Sequence, residues 1–229
     1  MKGLVNMFGI PMVVKHNKGG ERAYDIFSRL LEDRIIFLAD EITPESAAIT
    51  IAQLLHLNSE SNDDIALYVM SPGGHVDAGL AIIDTMNYIK SDVMTIGLGT
   101  CASMGALILS SGTKGKRIVL PDTRVMIHQV LGGASGQATE VEIHTKEILR
   151  LKKRTNEILA ANTGKTLKTI EKDTDRDNFM SAEEAVKYGI VDGIIKSMND
   201  VEKAAKAVST TPSKSNTTKT KVKVKTTKK

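Results

Sequence analysis

Short apolar runs rich in β-branched residues alternate with amphipathic stretches along most of this chain, and that alternation constrains the fold more than any other feature. Arg34–Ala39 reads as a buried strand. Thr43-Pro44-Glu45-Ser46 then opens a helix, with threonine as cap and proline at the first helical position, that continues through Leu55. Ile65–Met70 is the next strand, followed by a helix over Ala78–Lys90 with Ile82, Met86 and Ile89 on one face. Strand Val93–Leu98, helix Ser103–Gly112, strands Lys116–Leu120 and Arg124–Ile127, and a long charged helix Thr139–Asn162 continue the series. Tyr24–Glu32 also reads as helical, and residues 168–187 hold a turn at Asp173–Asp177 and a helix that starts at Ser181. Strands separated by helices return to the same edge of a sheet, so the order predicts an α/β domain with a largely parallel sheet.

Length and charge narrow the class. At 229 residues and 41% hydrophobic content, the chain suits one domain with a sizeable core. Residues 209–229 hold seven lysines and no acid; removing them turns the formal +4 into −3 for residues 1–208. The basic excess therefore sits in a Lys/Thr-rich tail that reads as disordered, and a nucleic-acid-binding face on the folded part is not expected. One cysteine, Cys101, excludes an internal disulfide and a cysteine-based metal site, which fits a reducing cytoplasm. Residues 1–14 place Lys2 before an apolar run, but Asn6 and Pro11 interrupt it and no small-x-small site follows. That segment reads as mobile or processed, not as a secretory signal. No apolar run approaches a membrane span, and no membrane association is expected.

Three short motifs carry chemistry: Ser71-Pro72-Gly73-Gly74, Ala102-Ser103-Met104-Gly105 and Met126-Ile127-His128-Gln129. A serine attacks an acyl carbon only when a base takes its proton and preorganised N–H donors receive the oxyanion. Ser103 follows a strand and opens an apolar helix, where the Met104 amide faces outward; the bland alternative is an ordinary helix cap. His128 ends an apolar strand before the loop Leu131–Gly136, although a structural histidine would fit the same pattern. His16 and His56 have no chemical company, His144 lies in the charged helix, and His75 suits the substrate side of a site. The pair needs a carboxylate to hold the imidazole, and on chemistry alone Asp122, Asp173, Asp175 and Asp177 all remain open. Gly73-Gly74 permits the close approach that a second oxyanion donor requires.

These motifs, with Gly136-Gln137-Ala138-Thr139 and Asp173–Phe179, resemble the ClpP family of ATP-dependent serine proteases over roughly residues 11–198. The resemblance implies Ser103 as nucleophile, His128 as base and Asp177 as the orienting acid, with Gly74 and Met104 as oxyanion donors. It implies that Gly73, Gly74, His75 and Val76 on one side, and Leu131, Gly132 and Gly133 on the other, form strands that clamp an extended peptide. A crotonase-like spiral with a projecting handle over 130–162 follows, as do two stacked heptameric rings of this chain with Gln129, Asp175 and Arg176 at the contacts between them. Residues 1–20 become an axial or processed segment, 21–198 the protease domain and 199–229 the tail. An AAA+ unfoldase of the ClpX or ClpA/ClpC type would dock on Leu55, Ala66, Tyr68, Tyr88, Ile118 and Ile195 and spend ATP to feed in unfolded polypeptides. The peptidase itself needs no cofactor or metal.

The chain departs from the family at three places: Val130 replaces a proline, Ala66 and Ile118 replace aromatic residues, and the lysine-rich tail is an addition. An acyl-CoA hydratase or isomerase would share the fold but works with a carboxylate base. A non-catalytic ring subunit would lose the nucleophile or the base, and both are present. A narrower variant is a protease that processes specific assembly proteins.

Overall fold

The computed structural model describes residues 9–17 and 20–197. An antiparallel hairpin, β1 (Met12–Asn17) and β2 (Gly20–Asp25), leads into α1 (Ile26–Glu32). The hairpin is not expected from the sequence: Met12 and Val14 of β1 are exposed, and so are the first four residues of β2, so no burial pattern marks it. Asp25 caps α1, its side chain accepting from the amides of Phe27 and Ser28, which moves the helix start two residues beyond the expected Tyr24.

The main layer follows the expected alternation. Parallel strands β3 (Ile35–Ala39), β4 (Ile65–Ser71) and β5 (Val93–Ala102) are joined by α2 (Pro44–Glu60) and α3 (Val76–Tyr88). Thr43 caps α2 in a capping box with Ser46, as its sequence suggested. After α4 (Met104–Ser110) come β6 (Arg117–Val119) and β7 (Arg124–Ile127), the long α5 (Ala138–Thr163), α6 (Leu167–Asp173), β8 (Asn178–Met180), α7 (Ala182–Tyr188) and β9 (Gly193–Ile194). The sheet runs β3-β4-β5-β6-β9, all parallel, with β7 beside β5 and β8 antiparallel to β7. The fold is mixed α/β with a mostly parallel sheet and seven helices among the described residues.

Strand β5 does more than one strand usually does. Its first half pairs with β6 through Thr95–Gly97, and its second half pairs with β7 through Thr100–Ala102. Gly99, at φ 52°, lies between the two halves in a backbone region glycine enters cheaply. The sequence predicts a strand that ends at Leu98; the strand instead continues to Ala102.

Packing concentrates around α4, every residue of which is buried. The core joins Ile36, Leu38, Leu67 and Val69 of the sheet to Leu54 and Ile82 of the helices, all at most 2% exposed. Arg117, only 4% exposed, forms two bonds of 2.9 and 2.6 Å to the Asp192 carboxylate and donates to the carbonyls of Ser110 and Asn162. This ion pair fastens the end of α4 to the sheet and to the end of α5. Burial favours the neutral form of Asp192, but the bonds from Arg117 outweigh it and hold the carboxyl below its ordinary range. Among the described residues no helix is long and apolar enough to cross a membrane.

Candidate active site

Sheet register brings the three motif regions together. Ala102 pairs with Met126 across β5 and β7, so Ser103 and His128 leave the same end of adjacent parallel strands. Ile127 pairs with Asn178 across β7 and β8, so Asp177 lies next to His128. Ser103 Oγ is 2.8 Å from His128 Nε2, and His128 Nδ1 is 3.1 Å from Asp177 Oδ1. The histidine side chain is 14% exposed and the aspartate 58%.

Ser103 is not an ordinary helix cap. It stands at φ 54° and ψ −122° and makes no side-chain capping bond to α4. Such a conformation costs a non-glycine residue about 1–3 kcal/mol, so its surroundings must impose it. They do so from two sides: the Ser103 amide donates to the Met126 carbonyl at 2.8 Å, and its carbonyl accepts from Leu107 at 3.1 Å. The sharp strand-to-helix turn points Oγ at His128 and not at the helix, while the first amides of α4 have no partner within the helix.

Gly73 and Gly74 pass close to this turn. A Cβ on Gly73 would lie 2.6 Å from Ser103 Cβ, and one on Gly74 would lie 2.2 Å from the Ile42 carbonyl oxygen. Both have positive φ, 103° and 150°, so a side chain is excluded by backbone and by space alike. The Ile42 amide donates to the Gly73 carbonyl and the His75 amide to the Ile42 carbonyl, each at 2.8 Å, which pins the segment beside Ser103. Gly74, Ser103, Met104 and His128 line one cavity of about 240 Å³. The rest of its wall is mostly apolar, with Val76, Leu107, Leu131 and Leu159 beside the polar Gln129 and Thr155, and no Asp or Glu lines it.

The family described as Clp protease matches residues 18–198. The chain belongs to the Clp protease family. As a member it is a Clp-type peptidase, and the matched span covers the strand ends that carry Ser103, His128 and Asp177.

Other residues singled out in the sequence fall in several places. Neither of the segments expected to clamp a peptide is a strand in the single chain. Gly74 makes one bridge with Ile42, His75 caps α3 and Val76 is its first residue, while Leu131, Gly132 and Gly133 lie in exposed irregular backbone. Gln129, Asp175 and Arg176 are joined within the chain: Gln129 donates to the Asp175 carbonyl at 2.7 Å, and Arg176 pairs with Asp175 at 3.3 Å. The six apolar residues separate into two groups. Leu55 and Tyr88 share one surface hollow, whereas Ile118 and Ile195 cluster with Met94 and Ile96, and Ala66 and Tyr68 pack against that cluster.

Of the four candidate acids, Asp177 meets His128, Asp173 accepts from Tyr188 at 2.8 Å, Asp175 meets Gln129 and Arg176, and Asp122 lines a separate hollow. His56 faces Glu60 at 3.6 Å and His144 is exposed on α5. The His16 side chain, residues 1–8 and the tail from residue 198 lie outside the described residues. Cys101 is buried, its thiol pKa pushed up to about 12 by burial, so it stays protonated two residues before Ser103. Among the described residues no cluster of His, Cys, Asp or Glu is gathered as a metal ion would need.

Sequence reasoning missed Thr155 and Leu159, which line the cavity from α5. They are four residues apart and buried on a helix otherwise rich in charge. That spacing was the available signal for an inward face.

Proposed function

We propose that the chain is a serine endopeptidase in which Ser103 is the nucleophile, His128 the general base and Asp177 the acid that orients it. The observation that carries this reading is the 2.8 Å approach of Ser103 Oγ to His128 Nε2, with Asp177 on the other ring nitrogen at 3.1 Å. Ser103 Oγ attacks the scissile carbonyl carbon while its proton passes to His128 Nε2, and Asp177 stabilises the imidazolium that forms. The oxyanion turns toward the amides of Gly74 and Met104. Collapse returns the proton to the leaving amine and leaves an acyl-Ser103 ester. Water, deprotonated by the same imidazole, then releases the second product.

Gly73 to Val76 and Leu131 to Gly133 flank this cavity and would hold an extended peptide by its main chain once it is bound. The apolar wall favours a hydrophobic side chain beside the scissile bond. An enolate-forming hydratase would need a carboxylate base, and the lining carries none.

In the assembly we propose, the domain is a crotonase-like spiral and residues 130–162 are its handle. The first half of α5, charged and exposed at most positions, supports this. Two heptameric rings stack through the handles, with Gln129, Asp175 and Arg176 near the contact. An AAA+ unfoldase of the ClpX or ClpA/ClpC type docks on the apolar residues around Tyr68 and Tyr88 and delivers unfolded polypeptides using ATP. The peptidase works in the cytoplasm without a cofactor or metal of its own. Cleavage of a short fluorogenic peptide across size fractions tests the whole reading. Activity confined to a particle of fourteen subunits supports it, and activity in the monomer fraction alone contradicts the assembly.

A further inference from the structure

Asp177 is 58% exposed, yet it lies at hydrogen-bond distance from His128, so something beyond the packing of its own side chain holds it in place. The residue next to the base does this. Gln129 Nε2 donates to the Asp175 carbonyl at 2.7 Å, two residues ahead of the acid. On its other side, Lys152 Nζ from α5 donates to Gln129 Oε1 at 2.8 Å. An ammonium can only donate, so it draws the amide oxygen toward itself and leaves the amide nitrogen for the carbonyl. The reversed amide would set donor against donor and oxygen against oxygen. Lys153 and Arg154, the next residues along α5, turn to Glu157 instead, whereas Lys152 directs its charge at a neutral amide.

We propose that Lys152 and Gln129 are positioning residues for the reaction: Lys152 fixes which way the Gln129 amide points, and Gln129 holds the Asp175–Asp177 segment against His128. This rests on the peptidase reading above. Gln129 also borders the cavity, but the effect of both side chains on the reaction runs through Asp177.

The test uses the full-length protein, with kcat and KM for a fluorogenic peptide measured on the assembled fraction. Lys152→Glu replaces the donor by an acceptor, which recruits Gln129 Nε2 and frees the Asp175 carbonyl. Gln129→Glu keeps the bond to Lys152 and removes the donor to Asp175, so it serves as the second variant. Each is expected to lower kcat about 10-fold, as a modest misplacement of a catalytic group does, with KM and the thermal midpoint unchanged. Lys152→Arg, which still donates, restores most of kcat.

In an Asp177→Asn background neither Lys152→Glu nor Gln129→Glu lowers kcat further, because all three changes act through one group. The proposal is overturned if these variants cost the same fold in both backgrounds. It is also overturned if they raise KM at constant kcat, or if Lys152→Arg loses as much as Lys152→Glu. Asp177→Asn with full activity would sink the peptidase assignment of that residue, a result separable from either of these.

Discussion

The serine and the aspartate of the site are held by opposite means. Ser103 sits between a buried strand and a fully buried helix, with Gly73 so close that a methyl group would strike its Cβ. Asp177 stands in the exposed stretch Asp175–Asp177, which follows the buried Thr174 and whose neighbours are held by individual bonds: Gln129 to the Asp175 carbonyl, Asn178 to the Asp173 carbonyl at 3.1 Å and Tyr188 to the Asp173 carboxylate. Packing is cooperative and rigid, so it can sustain a strained backbone at Ser103. Hydrogen bonds at a surface are individually modest and can be exchanged for water. Ser103, on its strained backbone, is thus built into the core, and Asp177 is left on an adjustable loop.

Ser103→Ala should have the largest effect, lowering kcat about 1,000,000-fold while the thermal midpoint stays close to that of the parent. Steady-state cleavage and a thermal melt read both quantities. Asp177→Asn keeps the shape but presents the wrong partner to Nδ1, and a loss of about 1,000-fold in kcat is expected with unchanged stability. Substantial unfolding in this variant would erase the contrast between loop and core. Gly73→Ala strikes the packed side and should lower kcat about 100-fold. It should also cost stability, about 1–3 kcal/mol, because the methyl meets Ser103 and φ is 103°. Loss of activity and of stability together is the mark of the core side.

Tyr188→Phe removes one bond on the loop side. Burial and the bond to Asp173 both push the Tyr188 phenol above its ordinary range, so the hydroxyl stays protonated and donates. Its loss should lower kcat about 5-fold, equivalent to one ordinary hydrogen bond. The frame beneath the nucleophile responds to acid instead. Asp192 has a carboxyl pKa lowered by its bonds to Arg117, so its stabilisation is complete above the unfolded-state value near 3.9 and fades as pH falls through the folded value. Thermal midpoints from pH 6 to pH 3 should drop at the acid end. Asp192→Asn should lose about 3 kcal/mol at neutral pH and flatten that acid-end dependence.

Much of the frame was legible because it obeys two periods. β3, β4 and β7 are short apolar runs, and α2 and α3 carry their apolar residues at helical spacing between turn and cap signals. The hairpin β1–β2 was not legible, since its residues, Met12 and Val14 included, are mostly exposed and bury no face. β8 and β9 have only three and two residues, too few for a period to appear. The end of β5 was misjudged because Gly97 and Gly99 look like a turn, whereas they allow the strand to change partners.

The motif residues were visible as types, but their meeting depends on register. Residues alone left four aspartates open; the pairing of Ile127 with Asn178 sets Asp177 beside His128 across 49 positions of sequence. Lys152 carried no signal, because a lysine on a charged helix reads as solvated surface until its partner is known.

The central claim is that Ser103 is an activated nucleophile, and covalent labelling tests it most directly. The full-length protein is treated with a serine-reactive fluorophosphonate, and the adduct is located by mass spectrometry of its peptides. A single adduct on Ser103, absent in Ser103→Ala and formed far more slowly in His128→Ala, is the expected result. No adduct on the assembled protein, or an adduct on another residue that persists in Ser103→Ala, would contradict the account.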